Sequence, residues 1–493
     1  MKFRIYFFSL FIFFLIQGQT GFASFEFTLH NTKAYENFLK LKINKAHYHL
    51  DLSKKASQDN GIDIYLENFE DIIRLLITQD PALYQKLEPN EASRLKALRA
   101  LDKSSPYYLY TQAEVKLQWA IVKLQFGDEL GAFWKIKSAF NLLKDNHKKF
   151  PDFLPNKKTL GAFNILIGSV PAKYKWVINL LGFNGNIETG LEYLNEVIHS
   201  DSYVKLEATL YKEYLNLYIL HHSNWSFNNL HQLLNKYPDN LFVYFTTALY
   251  SIKKGQAQEA LDILNKAPRG KDYFSDFYFL DYLKGEANLY LGNYSQAVKH
   301  LNKYVKYHPG QNLIKDAYLK LFFAHWLQEK DDEAQTYWKL AQAKGSTVTG
   351  PDKYAKKFLE FDQLPHKEIT RARFYTDGGA YRNALNTLAT VNPSKLSHKS
   401  DQLEYWYRKA RIYHKLRSHK QAIYYYQKTL GESDKAGHYF APNSALQLGY
   451  IYRDVYKDTQ EAKQYFHKAM EYQQHEYKLG IDSKAKAALK LLK

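Results

Sequence analysis

From residue 240 to residue 475 small and apolar residues return at positions that pair two helices, with a short polar turn between them. Ala297 serves as a marker. Gly285 lies twelve residues upstream of it, and Leu301, Tyr304 and Pro309 lie four, seven and twelve residues downstream, with Leu291-Gly292-Asn293-Tyr294 as the turn. Two antiparallel helices approach closely only where side chains are small, so the spacing predicts that Gly285 faces Ala297. Glycine in mid-helix is about 1 kcal/mol worse than alanine, which points to packing as the reason for Gly285.

The pattern recurs. Around Ala422 stand Trp406, Ala410, Tyr413 and Tyr426, and around Ala462 stand Gly449, Tyr452, Phe466 and Ala469. Ala384 pairs with Ala372 and Tyr375 and ends at Pro393, while Ala260 pairs with Ala248, Leu264 and Ala267 and ends at Pro268. Ala334 precedes Trp338 and Ala341, but Phe322 fills its small position. Successive markers from Ala260 to Ala462 are 37, 37, 50, 38 and 40 residues apart. The long step holds Gly345 to Gly350, read as a flexible connection, and an inserted helix within Pro351 to Leu364 that closes at Pro365.

This spacing resembles the tetratricopeptide repeat, which places a small residue in each helix of a pair and a proline after the second. It implies an all-α, right-handed α-solenoid of tetratricopeptide-like antiparallel helix pairs. Upstream, residues 33–56, 62–78 and 81–102 read as helices, 107–144 as a pair turning at Gly127-Asp128, and Leu230, Leu233 and Pro238 close another. The expected organisation is a signal peptide at 1–23, a helical region with degenerate repeats at 24–158 and an apolar hairpin with degenerate repeats at 159–239. Repeats follow at 240–344, a connecting insertion at 345–365, repeats at 366–475 and a capping helix at 476–493, where Ala485, Ala488, Leu489 and Leu492 share a face.

Leu160-Gly161-Ala162-Phe163-Asn164-Ile165-Leu166-Ile167-Gly168-Ser169-Val170-Pro171 leads into Leu180-Leu181-Gly182-Phe183-Asn184-Gly185-Asn186 and Gly190-Leu191. This is similar to the apolar centre of the tetratricopeptide-repeat-39 proteins, and Phe440 to Tyr472 is similar to that family's last repeat. The acidic and basic pair that usually follows the turn glycine is Asn186-Ile187 here. The resemblance implies a solenoid adaptor without enzymatic activity and carries over no catalytic residue. The segment 160–183 has two physical readings, an exposed docking patch or a buried hairpin whose second helix starts at Pro171.

Composition adds a compartment and a charge. Lys2 and Arg4, the apolar run Ile5 to Ile16 and Gly21-Phe22-Ala23 read as a secretory signal cleaved before Ser24, because twelve apolar residues are too short to span a bilayer. The chain has no cysteine, which excludes disulfides, thiolate metal sites and a lipid-modified amino-terminal cysteine. A long cysteine-free exported chain fits the bacterial periplasm. Of 493 residues 45% are hydrophobic and 24% charged, ordinary globular values. The net charge is +18; without the signal, 66 basic residues face 50 acidic ones. That excess favours acidic partners, or reflects lysines on solvated helix faces. Nucleic acid is not expected for an exported chain.

No catalytic constellation emerges. Gly345 to Gly350 has phosphate-loop spacing, yet Pro351-Asp352 stands where lysine and a hydroxyl residue are needed. His47 and His49, and His221-His222, lack a carboxylate at zinc-site spacing, and there is no serine nucleophile elbow. No enzyme activity, cofactor or metal is expected. In tetratricopeptide arrays the fifth, ninth and twelfth positions of the first helix point into the concave groove. That register selects Arg373, then Tyr407, Arg411 and His414, then Tyr450 and Arg453. The three arginines would form a ladder for carboxylates with tyrosines between them; otherwise the aromatics are core and the arginines pair with neighbouring carboxylates. The expectation is a scaffold that binds acidic protein or peptide segments within an envelope-associated complex, with glycan capture by a nutrient-binding solenoid as the alternative.

Overall fold

Small residues set the spacing of the helix pairs. A computed structural model describes residues 25–57, 59–170, 182–220, 228–274, 277–361, 363–433, 437–475 and 477–492. Among these, helices take up well over half and no residue is in a strand. The chain is an α-solenoid of antiparallel helix pairs. The marker residues Ala260, Ala297, Ala384, Ala422 and Ala462 are all fully buried, as are Ala248, Ala372 and Ala410 on the partner helices.

One expected contact is corrected. A β-carbon on Gly285 would stand 2.5 Å from Leu301 Cγ, so the glycine of helix Phe279–Leu291 receives Leu301 rather than Ala297. Gly449 faces Phe466 at the same register, 2.5 Å from its Cε1. The small position accepts the large residue one turn beyond the marker, because a side chain leans back towards the amino end of its own helix. Where Phe322 fills that position the pair Ile314–Trp326 and Asp331–Ala343 still forms, with Phe322 edge-on to Trp338 at 4.9 Å.

The amino-terminal region forms the helices Leu29–Leu39, Ile43–Ala56, Gly61–Thr78, Pro81–Leu87 and Pro89–Arg99, then the pair Pro106–Gln125 and Glu129–Lys149. The run read as one helix at 33–56 breaks at Leu41 (φ 58°), and Pro89 divides the one at 81–102. Leu154–Ser169 crosses Ile187–Ile198 through a glycine pair: a β-carbon on Gly190 would lie 2.6 Å from the Gly161 carbonyl oxygen. Residues 1–23 and 171–181, with the expected signal and second hairpin helix, lie outside the described residues. Among the described residues no helix is long and apolar enough to cross a membrane.

The array returns on itself. The last helix, Lys478–Lys490, packs against Leu154–Ser169 and the π-turn Asn216–Leu220, and Lys490 Nζ donates to the Gly168 carbonyl at 2.5 Å. Ala487 is fully buried in the core that holds Tyr35, Ile165 and Leu220. Lys367–Gly378 packs against Phe279–Leu291 and also touches Leu241–Lys254. The amino-terminal helices lie along the same array. Lys40 and Lys42 pair with Asp239, and Asn312 donates to the Gln125 carbonyl at 2.8 Å. The stretch read as a flexible connection is pinned: Ser346 N donates to Gln311 O at 2.9 Å and Ser346 Oγ to Asn312 at 2.6 Å, ahead of the inserted helix Gly350–Leu359.

Three buried cations are paired with carboxylates. Lys158, fully buried, lies 3.1 Å from Glu207 and 3.6 Å from Glu114 and reaches Tyr110, while Tyr35 donates to Glu207. Lys320 bridges Asp316 and Glu286 beside Tyr282. Arg408 pairs with Glu404 at 2.7 Å and donates to Tyr439. Each cluster ties together at least two helical segments, and each charge is compensated where water is absent.

Candidate functional site

The six residues selected by the groove register sit on three helices, Lys367–Gly378, Lys399–Lys415 and Phe440–Ile451 with its π-turn Tyr452–Tyr456. The structure separates them. Tyr407 is 0% exposed and lies among Tyr426, Tyr439 and Phe440, and its hydroxyl accepts from Arg411 at 3.2 Å and from Asn443 at 2.5 Å. Tyr450 is 4% exposed and packs on Phe466 at 5.3 Å. Both tyrosines are core, contrary to the expectation of groove-facing contact area. Two stacked helices leave that position between them, and an aromatic ring there gains more from burial than from exposure.

The arginines do not form one ladder. Arg373 donates to Tyr354 Oη at 2.6 Å and lies 3.9 Å from Asp377. Arg453 stacks on Tyr450 and makes a two-pronged pair with Asp454, at 2.6 and 2.9 Å, so its guanidinium is already matched to a carboxylate. Arg411 stacks over Tyr407 and has no carboxylate partner among the described residues. His414 lies 3.3 Å from Tyr426 Oη; burial first, then Lys415 and Arg411, push its pKa down to about 3, so it carries no charge at neutral pH.

A cleft opens next to Arg373. It has a volume of about 550 Å³ and lies between the inserted helix and the turn before the last helix, lined by Lys353, Tyr354, Lys357, Gln474, His475 and Tyr477. Lys353 and Lys357 are one helical turn apart, both exposed, and Tyr354 between them carries the hydrogen bond from Arg373. Tyr477 stands edge-on to Tyr439, the residue that accepts from Arg408. The sequence register missed this cleft because the inserted helix interrupts the repeat and its lysines look like those of any solvated face.

Of the histidines considered as ligands, His47 lies 3.1 Å from Glu70 and 3.5 Å from Asp51 on the outside of the amino-terminal region, and His49 stacks with His30. His221 and His222 lie outside the described residues.

A family model described as Iml2/Tetratricopeptide repeat protein 39 matches residues 156–309, and a tetratricopeptide-repeat model matches residues 403–440. The first covers the Gly161–Gly190 crossing, and the second the pair that carries Arg408 and Arg411. Among solved structures the chain is similar to the human IFIT1 dimer with m7Gppp-AAAA, at 14% identity over 92% of this chain and 98% of that one, TM-score 0.33. It is also similar to the Cut9–Hcn1 hetero-tetramer of the APC/C (13%, 93% and 95%, TM-score 0.26) and to yeast Tom70 (16%, 92% and 96%, TM-score 0.23).

Proposed function

We propose that this tetratricopeptide-repeat chain is a non-catalytic scaffold, exported to the bacterial periplasm, that holds an acidic segment of a protein partner. The observation that carries the reading is the cleft beside the inserted helix, where Lys353 and Lys357 flank Tyr354 and Arg373 stands behind it. Its mixture of flat aromatic surface and cationic rim suits a polypeptide carrying carboxylates: the rings supply contact area and the charges supply orientation and steering. The signal-like first 23 residues and the absence of cysteine support the compartment.

Crosslinking and pull-down from the native envelope fraction identify the partner, and its acidic segment is then titrated against wild type and variants. Lys353→Glu should weaken binding by about tenfold or more, since it removes one attraction and adds repulsion. Arg453→Ala should leave affinity unchanged, because Asp454 already occupies that guanidinium. Equal affinity for wild type and Lys353→Glu would remove the cleft from the reading. Retention on immobilised polysaccharide with no protein partner would replace it by glycan capture.

A further inference from the structure

We propose, on the reading of the cleft beside the inserted helix as the seat of an acidic segment, that it selects carboxylate side chains through the hydroxyl of Tyr354, with Arg373 as the residue that aims it. Arg373 Nη1 donates to Tyr354 Oη at 2.6 Å, and its guanidinium carbon lies 5.2 Å from the centre of the same ring. A phenol oxygen that accepts from a guanidinium keeps its own proton for another acceptor, and accepting that bond makes the O–H a stronger donor. Among the described residues nothing accepts from Tyr354, and its side chain lines the cleft. The hydroxyl proton is left for an occupant.

The donor sits on a fixed mount. Asp352, two residues before Tyr354, is fully buried and accepts from Leu313 N at 2.7 Å, Asp316 N at 3.1 Å and Thr349 Oγ1 at 2.7 Å, which pins the first turn of the inserted helix to the array. Phe358, one turn after Tyr354, is buried edge-on to Phe323 at 5.0 Å. Arg373 comes from the next helix, Lys367–Gly378, and lies 3.9 Å from Asp377. Tyr354 is thus oriented before any ligand arrives, which lowers the ordering penalty of binding.

The same geometry decides which anion fits. Phosphate groups are best held by guanidinium forks or by several cations at once. The guanidinium groups nearby are committed: Arg373 holds Tyr354 and faces Asp377, and Arg408 is paired with Glu404. The cleft offers instead a neutral O–H from Tyr354 next to the ammonium of Lys353, which is exposed and makes no ion pair among the described residues. A carboxylate accepts from both kinds of donor and carries one charge to match Lys353. Lys357 stands one turn further along the rim, so the positive charges are spaced along a segment rather than gathered at one point. No aspartate or glutamate lines the cleft among the described residues, and a ligand carboxylate meets no like charge there.

The test is fluorescence polarisation of the full chain with a labelled octapeptide of alternating glutamate and serine, at pH 7 and low salt. Tyr354→Phe should weaken binding about tenfold, whereas 3-fluorotyrosine in place of Tyr354, a stronger donor, should bind about twofold tighter. Arg373→Met should weaken binding in the wild type and add nothing in Tyr354→Phe, and Arg373→Lys should keep part of the affinity. A second octapeptide, with glutamine for glutamate and two phosphoserines of about two negative charges each, should bind more weakly. Circular dichroism checks that the variants stay folded. Wild-type affinity in Tyr354→Phe, with Lys353→Glu still weakened, would overturn the role of Tyr354 and leave the cleft as the peptide site. Tighter binding of the phosphoserine peptide would overturn the selection of carboxylates. No saturable binding of the glutamate peptide, or no weakening in either Tyr354→Phe or Lys353→Glu, would remove the cleft and this inference together.

Discussion

The backbones of Gly255 and Gly379 lie back to back: the Gly255 carbonyl oxygen occupies the space a β-carbon on Gly379 would need. Both residues end a helix in the left-handed region, at φ 75° and 87°, so neither position suits a side chain. The contact joins two repeats more than a hundred residues apart in sequence and holds the inner side of the array together. Gly379→Ala adds strain at positive φ to a clash with backbone and should destabilise the protein by about 2–4 kcal/mol. Gly431→Ala, at the end of a helix with open space around its β-carbon, should lose nothing and gain up to about 1 kcal/mol. Urea unfolding of the two variants measures the difference.

Within a repeat, Gly285 makes room for Leu301. Gly285→Ala should overpack that contact by about 1–3 kcal/mol, and Ala297→Leu, at a fully buried position, should cost about as much. Adding Leu301→Ala should recover part of the Gly285→Ala loss and none of the Ala297→Leu loss. Purely additive double variants would show that Leu301 is not the neighbour.

Lys158→Met leaves Glu114 and Glu207 facing each other without their cation in a buried site. The expected loss is about 3–5 kcal/mol, partly recovered by adding Glu207→Gln, since one uncompensated carboxylate is then removed. Denaturation midpoints that differ little between wild type and Lys158→Met would mean that water reaches the cluster.

His308 lies between Tyr304 and Phe279, at 4.8 and 5.0 Å, with no hydrogen-bond partner for either ring nitrogen among the described residues, and burial pushes its pKa down to about 4. The folded state therefore binds the proton less readily than the unfolded chain, whose histidine titrates near 6.5. Stability is complete above about 6.5 and falls as the pH is lowered towards 4, by about 3 kcal/mol at most from this residue. Melting curves between pH 7 and 4.5 should show this loss in wild type and a flatter dependence in His308→Phe.

What the sequence determined is local. Ala260, Ala297, Ala384, Ala422 and Ala462 could be read as helix-crossing positions because a pair of short antiparallel helices needs small residues at a set spacing, and all five are buried. The same periodicity predicted the pairs themselves, since each repeat buries its apolar face mainly on its neighbours. Tyr407 and Tyr450 were misplaced because the register of an open groove was applied to them; one helical position cannot tell a solvent-lined face from the seam between two stacked helices.

Only the tertiary structure decided how far the array curves and what it meets. Curvature is the sum of small rotations, altered here by the inserted helix Gly350–Leu359, and the inward packing of Lys367–Gly378 onto Phe279–Leu291 follows from that sum rather than from any one repeat. The contacts that close the array, Lys415 with Lys254 and Lys490 with Gly168, join residues 161 and 322 apart and leave no periodic trace. A lysine at such a seam has the same neighbours in sequence as one on an open face, so the chain's abundance of lysines concealed those that close the array.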